Sequence, residues 1–232
     1  MEAIVKRVVQ ETPRVFFLEV ELERSISFKT GQVMRLTGPD GKTGRLFSIA
    51  RPGGKAVSEL SFVISILPKG IISSRVPHLK PGDRVAMTGP FGKFIFDDAD
   101  PRDIGLIAGG TGISVIRAIY FHVVTLGLPN LVHLLFSVRN REELIFRDEL
   151  PRLAKKYPCF SYSVTVTRET PPNWEGNYGS INEPMLAKEF GKEKFEQSFY
   201  LCGPPKFVEH TEGLLRAADV PGERIHIDRW VF

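Results

Sequence analysis

The stretch that decides the fold is IGLIAGGTGIS, residues 104–114, in which a run of apolar residues leads into closely spaced glycines and then into a helical pattern. Gly109, Gly110 and Gly112 allow a tight backbone turn and a close approach to a ligand. Free N–H groups at the start of the following helix attract the negative charge of a pyrophosphate. The segment departs from the G-x-G-x-x-G fingerprint, so a plain glycine-rich turn explains it almost equally well on its own.

The rest of the C-terminal half repeats this order of buried strand and helix. The predicted strands are 104–108, 131–138, 160–167, 199–203 and 224–228, and the predicted helices are 114–126, 142–156 with a break near Pro151, 183–190 and 205–218. Alternation at this spacing predicts an α/β domain with a five-stranded parallel sheet and right-handed crossovers. Ligands of such sheets bind beyond the carboxyl ends of the strands.

The N-terminal half has a different period. From residue 3 to about residue 96, short alternating or β-branched runs are separated by turn signals such as GPDGKTG and RPGGK. This pattern predicts an antiparallel β-barrel or sandwich. Residues 71–79 interrupt the strands, and Ser73 and Ser74 are predicted to cap a short helix there.

A polar stretch, DDADPRD, residues 97–103, separates the two halves and has the composition of a linker. A chain of 232 residues accommodates one large domain or two small ones. We therefore expect two domains, a β-barrel over residues 1–98 and an α/β domain over residues 99–232.

Charge and cysteine content exclude several classes of protein. The net charge is +4 and the 31 Lys and Arg residues are spread along the chain, which argues against nucleic-acid binding. Two cysteines are too few for a four-cysteine iron–sulfur or zinc site, and the five histidines lack ligand spacing, so no metal is expected. The N-terminus lacks a signal peptide, and no stretch reaches the roughly 18 apolar residues of a membrane span. We expect a cytoplasmic protein with no membrane span.

A second glycine turn, CGPP, residues 202–205, ends another predicted strand and precedes another helix. Two such turns at one edge of a parallel sheet would line a single crevice, with Cys202 pointing into it. The alternative is that Cys202 is a small buried apolar residue, the commonest environment of a free cysteine. A nucleophilic cysteine is less favoured, because no neighbour in the sequence supplies a base.

In the N-terminal half, RLFS, residues 45–48, places a cation, an aromatic ring and a hydroxyl on one short strand. A regular strand directs Arg45 and Phe47 to one face and Ser48 to the other. These groups suit a phosphate, a planar ring and the polar edge of a heterocycle. The same composition also fits an ordinary edge strand.

The segment KGIISSRV, residues 69–76, offers a second place for a phosphate. Gly70, Ser73 and Ser74 combine a flexible backbone with two hydroxyls at the start of the predicted short helix, where phosphates bind. Helix capping without any ligand explains the same residues.

In this order, the segments resemble the motifs of the ferredoxin–NADP reductase superfamily of flavoproteins. RLFSIA is similar to its flavin-binding R-x-Y-S motif, GIISS to its G-x-x-S diphosphate motif, and GPFGKF, residues 89–94, to the segment that closes its barrel. AGGTGIS and CGPPKFV are similar to its two nicotinamide-nucleotide motifs. The resemblance spans nearly the whole chain.

This resemblance implies a flavin-binding β-barrel followed by an NAD(P)-binding α/β domain. It implies an FAD-dependent NAD(P)H oxidoreductase in which hydride passes between the nicotinamide and the flavin. The electrons would then pass to an acidic carrier such as a ferredoxin or flavodoxin, or to an oxygenase component, which is consistent with the modest basic excess.

The resemblance also assigns residues to the flavin. Those implied to bind it are Arg45, Leu46, Phe47, Ser48, Gly70, Ser73 and Ser74. Arg45 would bind the flavin phosphate, Phe47 would pack on the ring system or the ribityl chain, and Ser48 would lie near the flavin N5. The diphosphate cradle favours FAD over FMN. Phe47 stands where tyrosine is usual, and the missing hydroxyl lowers the expected flavin affinity by about 1 kcal/mol.

A second set of residues is assigned to the nicotinamide nucleotide. Those implied to bind it are Gly110, Thr111, Gly112, Thr167, Arg168, Cys202 and Gly203. Asp228 and Trp230 take the places of an acidic residue and an aromatic residue near the flavin. The expected catalytic residues are Ser48, Cys202 and Asp228. Ser48 and Cys202 would act by positioning groups more than by moving protons. Asp228 stands where glutamate is common, and its shorter side chain argues against a proton-relay role.

The choice between the two nicotinamide nucleotides depends on Thr167 and Arg168. Family members that prefer NADPH often carry a Ser-Arg pair here, and a guanidinium suits the 2′-phosphate. We therefore predict NADPH. The following PPNWEGNYGSI, residues 171–181, resembles NADH-using relatives, and a solvent-exposed arginine needs no phosphate, so NADH is the alternative.

Two other functions fit the same sequence. The first is an electron-transfer subunit of a larger complex, which is disfavoured because such subunits often carry a cysteine cluster and this chain has two cysteines. The second is a ligand-binding module without turnover, which the replacement at Phe47 invites. Flavin binding by the purified protein separates this module from the enzyme.

Overall fold

The alternating runs of the N-terminal half form six strands of one antiparallel sheet. They are β1 (Glu2–Thr12), β2 (Val15–Phe28), β3 (Val33–Thr37), β4 (Gly44–Ser48), β5 (Gly54–Ser65) and β6 (Arg84–Phe91). Their order across the sheet is β4-β3-β6-β1-β2-β5. The two edges meet, because Ile49 bridges to Phe62 of β5 and the Ala50 N–H donates to the Ser61 carbonyl at 2.7 Å. The sheet therefore closes into the predicted barrel.

Apolar side chains from alternate strand positions fill this barrel. Met34 and Leu36 of β3 are buried, while the residue between them is not, as expected when successive side chains point to opposite faces. A short 3₁₀ helix, Ser73–His78, adds Val76 to the same core. The prediction that serines cap this helix is wrong, because the residue before it is Ile72 and no side chain makes a capping hydrogen bond.

The second half contains a six-stranded parallel sheet. Its strands are β7 (Ile104–Gly109), β8 (Val132–Val138), β9 (Phe160–Val166), β10 (Asn177–Tyr178), β11 (Ser198–Cys202) and β12 (Ile225–Asp228). The order is β10-β9-β8-β7-β11-β12, so the chain reverses direction across the sheet between β7 and β11. The five predicted strands are confirmed, and the two-residue β10 at the edge was too short to predict.

Four α-helices accompany this sheet. They are α1 (Ile113–Leu126), α2 (Glu149–Lys156), α3 (Glu183–Phe190) and α4 (Pro205–Ala217). The predicted break near Pro151 is misplaced, since α2 begins at Glu149 and Pro151 lies in its first turn, where backbone N–H groups have no helical partner. Ahead of α2, Phe146 adopts a left-handed conformation, with φ 60°, that interrupts the helical pattern.

The computed structural model describes residues 1–169, 173–191 and 195–229. Two compact units result, one of Met1–Phe96 with Arg117–His122 and one of Asp97–Ile116 with Val123–Phe232. Within the described ranges no helix is long and apolar enough to cross a membrane. The same ranges contain no group of three or more His, Cys, Asp or Glu residues placed to hold a metal ion.

Candidate cofactor-binding sites

The two glycine turns of the second unit meet at the carboxyl ends of the neighbouring strands β7 and β11. A Cβ atom on Gly112 would lie closer to the Cys202 carbonyl oxygen than van der Waals contact allows, so only glycine lets this loop pass the Cys202–Gly203 peptide. Gly110 has a φ of 53°, in the left-handed region that glycine adopts without strain. Thr111 lies between these two glycines. The structure thus brings both glycine turns together at one edge of the sheet.

Phe207 of α4 lies against both glycine turns. A Cβ atom on Gly109 or on Gly203 would approach the Cδ1 atom of Phe207 to 2.9 or 2.6 Å, respectively. The packing of an aromatic ring is therefore sufficient to require these two glycines. Sequence reasoning missed Phe207, although it belongs to the CGPPKFV segment.

Two of the three expected catalytic residues are in contact. Cys202 of β11 pairs in register with Asp228 of β12, and the Cys202 thiol donates to the Asp228 Oδ2 at 3.5 Å. Cys202 is 1% exposed, and Asp228 is half-buried. The neighbouring carboxylate disfavours a negative charge on the sulfur, which argues against Cys202 as a nucleophile. Trp230 lies outside the described residues.

Thr167 and Arg168 follow β9 and differ in what they offer a ligand. The Thr167 hydroxyl donates to the Val138 carbonyl at 3.3 Å, which uses its proton. The Arg168 N–H donates to the Arg139 carbonyl at 2.8 Å, and the Arg168 side chain is exposed. Among the described residues no ion pair involves the Arg168 guanidinium, whereas Arg139 is paired with Glu143 at 2.7 Å.

The RLFS strand of the barrel presents different groups on its two faces. Phe47 lies opposite the buried Met34, is half-buried and packs against the barrel core. Arg45 shares this face and is exposed, and among the described residues its side chain donates to the carbonyl of the preceding residue, at 3.1 Å. On the other face, Leu46 is 55% exposed and Ser48 ends the strand. The alternation predicted for Arg45, Phe47 and Ser48 is confirmed.

The Gly70–Ser74 segment folds tightly on itself. The Ser73 hydroxyl accepts the Leu67 N–H at 3.2 Å, and a Cβ atom on Gly70 would collide with that hydroxyl. Both the N–H and the hydroxyl of Ser74 donate to the Gly70 carbonyl, at 3.1 and 2.5 Å. Ser73 therefore keeps its hydroxyl proton for another acceptor, whereas the proton of Ser74 is already engaged.

Comparison with known protein families agrees with this division of the chain. Residues 2–96 match the oxidoreductase FAD-binding domain, and residues 106–213 match the oxidoreductase NAD-binding domain. The FAD-binding match comes first in the chain, as the barrel does, and the NAD-binding match follows, as the parallel sheet does. This chain belongs to the ferredoxin–NADP reductase superfamily.

Several known proteins are similar along nearly the whole chain. The reductase component DmpP of phenol 2-monooxygenase from Pseudomonas sp. strain CF600 is 29% identical over 230 residues, which is 96% of this chain and 65% of that protein. The anthranilate 1,2-dioxygenase electron transfer component of Acinetobacter baylyi is 29% identical over 226 residues, covering 96% of this chain and 64% of that component. The chain thus spans slightly less than two thirds of these relatives.

The fold is shared with solved protein structures. The Amycolatopsis cytochrome P450 reductase GcoB superposes with a TM-score of 0.87 at 24% identity, over 99% of this chain and 69% of that one. At this identity the likeness shows the fold. It supports the barrel followed by a parallel sheet, and the roles of individual residues rest on their geometry.

The residues present fit the cofactors of these superfamily domains. At the barrel, Ser73 lies so close to Gly70 that a larger residue at position 70 would displace its hydroxyl, and Arg45 provides an exposed cation. At the parallel sheet, the carboxyl edge where the strand order reverses carries both glycine turns, which is where ligands of such sheets bind. FAD would be held by the first set and the nicotinamide nucleotide by the second.

Proposed function

We propose that this chain is an FAD-dependent NAD(P)H oxidoreductase that passes electrons to a separate acceptor. The observation that carries the proposal is the meeting of the two glycine turns at one sheet edge, with the Cys202–Asp228 pair beside them. FAD, when bound, would supply the chemistry that takes up hydride from the nicotinamide nucleotide and passes electrons on one or two at a time. The chain's own residues bind, orient and shield the reacting groups.

In the barrel, Arg45 and Ser73 would hold the flavin diphosphate. The exposed guanidinium neutralises phosphate charge, and the Ser73 hydroxyl donates the proton that its contact with Leu67 leaves available. Gly70 leaves room for this hydroxyl, which a Cβ atom at position 70 would displace. Ser48 would direct its hydroxyl to the polar edge of the flavin, with Leu46 and Phe47 contributing apolar surface.

In the parallel unit, the loop Gly110–Gly112 would bind the nucleotide pyrophosphate through backbone N–H groups at the start of α1. Cys202 would lie beside the nicotinamide as a neutral thiol whose proton points to Asp228. This arrangement fixes the position of the sulfur, so its effect on rate comes through geometry. We propose NADPH as the preferred nucleotide, with Arg168 binding its 2′-phosphate.

For the electron acceptor, we propose an oxygenase component or an acidic carrier of the ferredoxin or flavodoxin type. The similar proteins DmpP and the anthranilate dioxygenase component are described as a reductase component and an electron transfer component. A net charge of +4 favours association with an acidic surface. A cytoplasmic location, where reduced nicotinamide nucleotides are available, is part of this proposal.

An anaerobic absorbance titration tests the proposed function. The purified protein is reconstituted with FAD and titrated with NADPH and, separately, with NADH. Bleaching of the flavin band near roughly 450 nm is the expected result, and the two titrations rank the nucleotides. A protein that does not bind FAD, or whose bound FAD neither nucleotide reduces, would contradict the proposal and favour a binding module.

A further inference from the structure

The five residues that follow the RLFS strand, 49–53, are held in place at their first two backbone N–H groups. Ile49 and Ala50 are fully buried, and the Ala50 N–H donates to the Ser61 carbonyl at 2.7 Å. The Ile49 N–H donates to the Gln32 carbonyl at 3.1 Å. The exit of β4 is therefore already constrained on its N–H side, within two residues of Ser48.

Arg117 of α1 holds the carbonyl group of Ala50. Its Nη1 donates to the Ala50 carbonyl oxygen at 2.6 Å, a charge-assisted hydrogen bond in a half-buried setting. The guanidinium carbon lies 5.0 Å from the ring centroid of Phe17 and 4.4 Å from that of Phe121. Cation–π contacts with two rings restrict the guanidinium to the position from which it reaches Ala50.

A second contact from the same helix secures the other end of this five-residue segment. The Gly53 N–H donates to the Thr30 hydroxyl oxygen at 2.8 Å, and that hydroxyl is 2.7 Å from the Nδ1 of His122. Because Thr30 accepts from Gly53, its own proton is available for the His122 nitrogen. Residues 117–122 of α1, which belong to the barrel unit, thus fasten the segment at Ala50 and at Gly53.

We propose that Arg117 is a positioning residue for the flavin, acting through the Ala50 carbonyl on Ser48. The inference rests on the proposed function, in which β4 binds FAD. A strand whose exit is fixed before FAD arrives loses less conformational freedom on binding, so affinity depends on this preorganisation. Loss of the Arg117 hydrogen bond would let the segment after Ser48 move and would misplace its hydroxyl.

The test compares Arg117→Gln with Arg7→Gln in the full chain. Arg7 also lies over the Phe17 ring, at 5.9 Å, but it is exposed and paired with Glu19 at 2.7 Å. Arg7→Gln therefore removes a cation from the same ring without touching Ala50. We expect the FAD dissociation constant, measured by fluorescence quenching, to rise about tenfold in Arg117→Gln and less than about twofold in Arg7→Gln.

Two further readouts separate positioning from a general loss of stability. At saturating FAD, Arg117→Gln should change the visible circular dichroism of the bound flavin, and Arg117→Lys, which can still donate to Ala50, should restore most of the affinity. Thermal unfolding of the cofactor-free variants reports stability alone. If Arg117→Gln does not fold, Arg117→Lys is compared with the wild type instead. We expect the FAD dissociation constant of Arg117→Lys to lie within about threefold of the wild-type value.

The outcomes are distinguishable from a failure of the proposed function. If wild-type protein does not bind FAD, the proposed function is wrong. If wild type binds FAD and Arg117→Gln binds it with unchanged affinity and unchanged dichroism, the positioning role of Arg117 is overturned. Equal loss of affinity in Arg117→Gln and Arg7→Gln overturns it as well, because the loss would then follow the ring contact.

Discussion

At the level of single residues, the neighbouring hydroxyls of Ser73 and Ser74 differ in their ability to donate a hydrogen bond to a ligand. The Ser73 oxygen accepts a backbone N–H and retains its proton, while the Ser74 proton is donated to the Gly70 carbonyl. A phosphate is an acceptor, so it needs donors. Of the two serines, only Ser73 therefore offers its proton to a diphosphate without first breaking a hydrogen bond.

We expect Ser73→Ala to weaken FAD binding about tenfold, since a hydrogen bond to a charged group is lost. Ser74→Ala should weaken it by less than about threefold, because its hydroxyl serves the local turn. Fluorescence titration of FAD into the apo-proteins measures both. Equal losses in the two variants would show that the ligand reorganises the turn.

Arg168 is the residue on which the choice of nucleotide depends. Its side chain is exposed and has no ion pair among the described residues, whereas Arg139 is paired with Glu143. We expect Arg168→Gln to raise the KM for NADPH at least about tenfold and to leave that for NADH within about twofold. Steady-state kinetics with both nucleotides provides the measurement.

Arg139→Gln is the matched control for this prediction, because it removes a nearby guanidinium that is already neutralised. It should raise the KM for NADPH less than Arg168→Gln does. A KM for NADPH that is unchanged in Arg168→Gln would show that no 2′-phosphate is bound at this arginine, and NADH would become the expected nucleotide.

At the level of secondary structure, the interlocked glycine turns define the candidate nucleotide site. Both turns end buried strands, and Gly112 passes the Cys202–Gly203 peptide so closely that a methyl group has no room. The obstruction is backbone, which cannot rotate away as a side chain can. The packing of β7 against β11 therefore depends on this glycine.

Gly112→Ala is expected to lower the free energy of unfolding by about 1–3 kcal/mol, the usual cost of overpacking, and to weaken nucleotide binding. Gly213→Ala in α4 is the control, since nothing lies within 4 Å of an added Cβ there. It should raise stability by about 0.5–1 kcal/mol because alanine favours a helix. Urea unfolding of both variants tests this pair, and a stable Gly112→Ala would refute the steric argument.

Much of this architecture was predictable from the sequence, for physical reasons that differ between elements. Continuous apolar runs such as 104–108 identify strands buried on both faces, and glycines at their ends identify the turns. The pairing of Cys202 with Asp228 was not predictable, because it depends on the register of two distant strands. Phe207 was missed because an aromatic residue in an amphipathic helix carries no signal of what it covers. The left-handed Phe146 likewise has no signature in composition.

At the level of the whole molecule, the half-buried His133 is expected to make stability depend on pH. His133 contacts the hydroxyls of Ser161 and Ser163 and the Glu189 carboxylate, the last at 3.1 Å, and Phe190 packs edge-on at 5.3 Å. Burial lowers the pKa of His133, and this outweighs the opposite effect of Glu189. The folded protein therefore takes up a proton on this residue less readily than the unfolded chain.

The sign of the pH effect follows from that difference. Above the unfolded histidine pKa of about 6.5, both states are neutral and the contribution is constant. As the pH falls below that value, the unfolded chain binds the proton first, and stability is lost. We expect urea unfolding to show this loss below about pH 6.5, and His133→Gln to show a shallower dependence. The exposed His78→Gln should keep the wild-type slope; identical slopes in both variants would contradict the assignment to His133.

The position of β7 at the centre of the parallel sheet has a consequence for the order of folding. One neighbour of β7, β8, comes next in the chain after helix α1. The other neighbour, β11, is synthesised only after most of the unit. Closing so long a loop costs entropy that local contacts do not offset, so this pairing is expected to form late. A ribosome-bound chain that ends before β11 has the first glycine turn without the second. The nucleotide crevice is thus a late product of folding, and the nascent protein cannot bind the nucleotide there before its sheet is complete.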